Sequence, residues 1–169
     1  MTDRVGGRRA VESWMFLGVR FDVLTSPGAP VAVAEMLLPE GASPPAHVHD
    51  GLDDSFYLLD GIMVVRCGGE LSVARPGSWQ QFPSGVPHTF RVMGGPARAL
   101  SIHSDDSFLA LVRDVGHPAD RSGPPGPGDA PTREQLDRML YGHGITNVGP
   151  PIEQDEAEEH LRVLAAAGR

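Results

Sequence analysis

Only one cysteine, Cys67, occurs in the 169-residue chain. No internal disulfide can therefore staple the fold, and nothing suggests an oxidising compartment. Long apolar runs are missing too. The longest, Trp14 to Val19 and Leu109 to Val112, fall far short of the ~18 residues a membrane span requires. The first eleven residues are polar, with Gly and Arg and no apolar core for a signal peptide, so a cytoplasmic location is expected. Basic charge is scarce: 14 Lys and Arg stand against 22 Asp and Glu, a formal net charge of −8. The arginines are scattered, which argues against binding a nucleic-acid backbone. No helix-turn-helix segment and no internal repeat is visible. What remains is an ordinary globular composition, 40% apolar and 21% charged, in a chain long enough to bury one core.

The first two-thirds reads as β structure. Short apolar or alternating segments recur at Ser13 to Leu24, Val31 to Leu38, Phe56 to Leu59, Ile62 to Arg66, Leu71 to Ala74, Ser78 to Phe82, Thr89 to Met93 and Arg98 to His103. Gly- and Pro-containing breaks separate them, and many short strands at this spacing predict an antiparallel barrel or sandwich. Asp60-Gly61, between two apolar runs, predicts a hairpin turn, and Gly94-Gly95-Pro96 another break. After His103 the pattern changes. Residues 105–115 predict a short helix or covering segment. Residues 116–131 are rich in Gly and Pro and predict an exposed loop. Thr132 with Gln135 forms a capping-box pattern opening a helix that Gly142 stops. A last helix is predicted from about Glu153 to Ala167. The organisation expected is one domain: a barrel over 1–115, a loop over 116–131 and a helical extension over 132–169.

Chemistry concentrates in two segments. His47 and His49 lie two apart in a strand-like context, where side chains two apart face the same way. Asp54 follows after four residues, with Asp53 as its fallback, and a tight turn would return that carboxylate toward the same space. His88 comes after a Pro-Gly turn at the start of another strand. Three imidazoles and one carboxylate make a mixed nitrogen and oxygen set. It suits one divalent transition metal (Fe, Ni, Mn, Co, Cu or Zn) better than Ca or Mg.

The spacing of these residues resembles the cupin superfamily. Gly41, five residues, His47-x-His49, four residues, Asp54, six residues and Gly61 is similar to cupin motif one, with aspartate where the family has glutamate. Gly77, five residues, Pro83-x-Gly85, two residues and His88 is similar to motif two, with Val92 at a position often held by asparagine. Fifteen residues separate Gly61 from Gly77, near the family's short end. The resemblance implies a mainly β fold, a double-stranded β-helix or jelly-roll barrel with the C-terminal helices added. It also implies a metal on His47, His49, Asp54 and His88, and a homodimer paired through first strands. The aspartate arm is one methylene shorter, roughly 1.5 Å. Asp54 therefore binds through a strand shift, binds weakly, or leaves a three-histidine site.

Strand parity turns Phe56, Phe90 and Val92 inward with Asp54 and His88. Met36, Leu38, Met63 and Trp79 are candidates for further apolar lining, and His103 for the barrel mouth. Such lining suits a flat or hydrophobic small molecule. Among cupins, the segments around HVHDGLDDSFYLLDG and PSGVPHTF look most similar to quercetin dioxygenase-like proteins. That implies an oxidoreductase, a dioxygenase whose carboxylate, Asp54, takes the proton of an enolisable or phenolic substrate before dioxygen adds. Two other readings keep the same residues. One is a metal-dependent isomerase, cyclase or decarboxylase, which forms product without oxygen. The other is a non-enzymatic small-molecule-binding cupin, whose ligand affinity would survive His49→Ala.

Overall fold

The computed structural model describes residues 10–119 and 133–168. In chain order its elements are β1 (Glu12–Phe16), β2 (Val19–Val23), β3 (Ala32–Leu38), β4 (Ala46–His49), β5 (Asp54–Cys67), β6 (Glu70–Ala74), β7 (Trp79–Phe82), β8 (His88–His103), α1 (Ser107–Val115), β9 (His117–Pro118), α2 (Arg133–Tyr141), β10 (Ile145–Gly149) and α3 (Gln154–Ala166). Every strand pairing is antiparallel, and the path runs β10-β4-β8-β3-β2-β1-β9, with β5 joining β8 to β6 and β7. This is a mainly β barrel of the jelly-roll kind with helices added after it.

Two long strands make the barrel. β8 lies against β5 from Cys67↔His88 to Asp54↔His103, and its second half also pairs with β3. The expected turns at Asp60-Gly61 and at Gly94-Gly95-Pro96 are therefore not turns. Both glycine sites sit inside continuous strands. The β5–β8 register shifts between Leu58 and Asp60 and again before Ile62. Glycine supplies the bend: Gly61 has φ +89°, and a Cβ there would lie 2.8 Å from Ala97 Cα. Strands that must curve around a small barrel do so at such bulges. The true hairpin nearby falls at Leu17-Gly18, where both φ angles are positive (50° and 77°), and it divides the expected segment Ser13 to Leu24 into β1 and β2.

The interior follows from alternation. In β3, Ala32, Ala34, Met36 and Leu38 are buried, with half-buried residues between them. They meet Phe56, Leu58, Met63, Phe82, Phe90 and Val92 in one core. A smaller cluster covers the outer face, where Ile152 and Ala157 of the α3 region pack on Val64 and Met93. Arg91 ties this segment down, donating from Nε to Gln154 Oε1 (2.9 Å) and from Nη1 to the Ile152 carbonyl (3.0 Å).

The C-terminal third is not purely helical. Between α2 and α3 the chain forms β10, which pairs with β4 from Ile145↔His49 to Gly149↔Ala46 across a bulge. The expected cap residue Thr132 and most of the Gly/Pro loop, 120–131, lie outside the described residues. His117 and Pro118 of that loop pair with Met15 and Trp14. No helix among the described residues is long and apolar enough to cross a membrane.

Candidate metal centre and pocket

Beside β8, β4 presents its histidines to the barrel interior, and His47 stands opposite His88 in the register. One ring nitrogen from each of His47, His49 and His88 lies within 4.8 Å of the others. Ring centroids are 4.5 Å apart for His47 and His88, and 5.2 Å for each ring with His49. Backbone carbonyls aim two of the rings. His47 Nδ1–H donates to the Pro45 carbonyl (2.8 Å), and His88 Nδ1–H donates to that of Val86 (2.9 Å). A carbonyl can only accept, so Nδ1 carries the proton and Nε2 keeps its lone pair.

Those lone pairs have no protein partner. His88 Nε2 and both nitrogens of His49 are buried without a hydrogen bond. Burial also keeps the rings neutral: it holds His47 below the ordinary imidazole range, pushes His88 down to about 4 and, with neighbouring rings adding to it, His49 down to about 2. Unpartnered, neutral and convergent imidazoles are what a divalent transition metal needs from its ligands. The residues present fit such an ion.

Asp54 stands outside that set of three. It is buried, and its Oδ1 lies 3.3 Å from His103 Nδ1, its register partner on β8. That separation is an ion-pair distance without hydrogen-bond geometry, and both atoms lack a hydrogen bond. Burial pushes the Asp54 carboxyl up to about 8, so it is a neutral acid at neutral pH. The short aspartate arm turns to His103 instead of the histidine cluster. His103 Nε2 is hydrogen-bonded to Ser101 Oγ, and its ring stacks on Phe108, with centroids 4.6 Å apart.

The histidines open onto a cavity of about 280 Å³. Met36, Leu38, Phe56 and Phe90 line it, with Asp54. Three expected lining residues do not. Trp79 is 52% exposed on the outer face, because its strand parity puts it opposite Tyr57, which also faces out. Met63 is buried in the core away from the cavity wall, and His103 sits behind Ser101 and Asp54. Unexpected lining comes from Phe16, Phe21, Ser101, Phe108, Ile145 and Asn147. Ser101 was findable, since it is two residues from His103 and shares its face. Ile145 and Asn147 were not, because their place depends on β10 pairing with a strand about a hundred residues earlier. No arginine or lysine lines the cavity among the described residues.

A curved antiparallel barrel with three inward imidazoles on two neighbouring strands defines a class, and the comparisons agree with it. Residues 34–103 match the family model described as Cupin domain, so the barrel is similar to cupins over that stretch. A quercetin 2,3-dioxygenase of Bacillus subtilis is 27% identical over 86 residues, covering 51% of this chain and 26% of that protein. The chain thus spans about a quarter of that relative's length. Among solved structures, the Cnp3 cupin domain of Schizosaccharomyces pombe has a TM-score of 0.52 at 18% identity, covering 70% of this chain and 85% of its own. KdgF from Halomonas sp. has a TM-score of 0.51 at 17% identity, covering 59% and 93%. These structural likenesses show the fold.

Proposed function

We propose that this protein is a metal-dependent oxidoreductase, a dioxygenase acting on an uncharged phenolic or enolisable small molecule. One observation carries the reading: three neutral imidazoles converge on a largely apolar cavity, and no arginine or lysine is among the described residues that line it. Apart from the ion itself, phosphorylated or carboxylated substrates gain from a positive side chain that offsets their charge, and none of the described residues that line the cavity is an arginine or lysine. An aromatic or otherwise flat ligand matches Phe56, Phe90 and Phe108. The quercetin 2,3-dioxygenase relative supports the same substrate chemistry.

A divalent ion on His47, His49 and His88 would supply a Lewis acid that lowers the pKa of a substrate hydroxyl. Asp54 serves as the acid–base group beside it: its ionised fraction, which grows as pH approaches 8, takes the hydroxyl proton as the substrate binds and returns it to product. Met36, Leu38 and the phenyl rings hold the substrate and keep water away from the reacting atoms. Ile145, Asn147 and Leu140, from the β10 and α2 region, close the remaining side.

The test is elemental analysis of the purified protein, followed by oxygen uptake with flavonols and β-diketones. Oxygen consumption that disappears on chelation and in Asp54→Asn is the expected result. Product formed at equal rate without oxygen favours the isomerase or decarboxylase reading, for which the neutral buried acid at Asp54 is a fitting proton donor. A metal-free protein whose ligand affinity is the same in His49→Ala would make it a binding cupin.

A further inference from the structure

Asp54, His103 and Ser101 form a second buried polar group beside the histidine cluster. β5 and β8 set it up, since Asp54 faces His103 and Phe56 faces Ser101 in the register. Residues 101 and 103 share a strand face, so both reach the same side as Asp54. Ser101, His103 and Asp54 are at most 3% exposed. The imidazole of His103 is held from two directions, by the Ser101 hydroxyl on Nε2 and by the Phe108 ring on its face. Phe108 also lies against His49, with centroids 5.8 Å apart, so it separates the two histidines. Asp54 meets His103 at 3.3 Å and stays outside the cluster of His47, His49 and His88.

We propose that Ser101 and His103 form a latch holding the Asp54 carboxyl away from the ion, so that three imidazoles alone grip the metal. The inference rests on reading His47, His49 and His88 as a metal site. His103 and Ser101 are positioning residues in it. Neither lies in the ligand cluster, and together they decide whether Asp54 is a ligand or a free acid–base group. A carboxyl committed to the metal would be lost to proton transfer, whereas one parked beside His103 stays free to exchange its proton with a substrate.

Titration of the full-length protein with Co²⁺, followed by its visible absorption, tests this directly. In the otherwise unaltered chain, Asp54→Asn is expected to leave the Co²⁺ Kd within about twofold and the spectrum unchanged. His103→Ala frees the carboxylate. Co²⁺ is then expected to bind about tenfold more tightly, with a spectrum shifted toward higher coordination, and adding Asp54→Asn removes both changes. His103→Asn keeps a polar group of similar reach beside Asp54 and is expected to restore the original spectrum. If His103→Ala does not fold, Ser101→Ala loosens the same ring with less lost volume, and Asp54→Asn alone still decides. A tenfold or greater loss of Co²⁺ affinity in Asp54→Asn, with a changed spectrum, makes Asp54 a ligand and overturns the latch. Failure of the metal reading looks different: Co²⁺ binds wild type and His88→Ala equally weakly.

Discussion

At Asp54 a carboxyl has been taken out of water with no cation to offset its charge, and the cost appears as a dependence of stability on pH. In the metal-free protein burial pushes it up to about 8 in the folded chain, against 3.8 for an ordinary aspartate carboxyl. Between those values the folded state holds a proton that the unfolded state has released. The group's contribution therefore falls as pH rises from about 4 to 8. The histidines act in the opposite sense. Burial lowers the pKa of His47, His49, His88 and His103, so below about 6.5 the unfolded chain binds protons that the folded chain refuses. That penalty fades as pH rises to 6.5. Four histidines outweigh one aspartate, so urea midpoints of metal-free protein are expected to climb to about pH 6.5 and then decline toward pH 8. Asp54→Asn should keep the climb and abolish the decline. At the same scale, His88→Ala is expected to weaken metal binding by more than about 100-fold, because loss of an outer-shell partner alone costs 10- to 100-fold. Equilibrium dialysis against Zn²⁺ or Co²⁺ reads it. The cluster was legible because two-residue spacing and a distant Pro-x-Gly-x-x-His segment place three rings by local rules. The orientation of Asp54 was not, since it depends on a partner 49 positions later in the chain.

Elements show where periodicity succeeds and where it stops. Alternation in Val31 to Leu38 and Leu71 to Ala74 gave strands close to β3 and β6, because each residue's burial there depends only on its own face. Glycine misled. Gly61 looks like a turn residue, yet it lets β5 and β8 approach closely while the strand continues. The two possibilities share a positive φ and differ only in what lies opposite. A pair of substitutions separates them in the folded protein. Gly77 has φ +90° with open space around its Cβ position, whereas a Cβ at Gly61 would strike the backbone of Ala97. Gly77→Ala is expected to cost about 1–2 kcal/mol, and Gly61→Ala more than about 3 kcal/mol, both measured by urea unfolding. Trp79 misled differently: an aromatic in a strand suggests lining, but parity against Tyr57 sends it outward.

Across the whole molecule, an ion bound at the histidine cluster would be coupled to the fold. A metal that binds the folded cluster and not the unfolded chain stabilises by about 2.7 kcal/mol at a hundred times its Kd. For a chain of this size that corresponds to a fall in Tm of roughly 5–11 °C on chelation. Differential scanning calorimetry with and without EDTA checks it, and His88→Ala should show almost no shift. The barrel's existence was legible from strand density alone. The closure of its cavity was not, since the covering residues come from a segment that reads as a helical tail.

β4 has four residues and a single register pair with β8, and its longer ladder is with β10. During synthesis, His47 and His49 leave the ribosome about a hundred residues before Ile145. The ladder that β10 adds to their strand waits for that later segment. Until β10 emerges, a nascent polypeptide therefore carries its imidazoles on an unfinished edge.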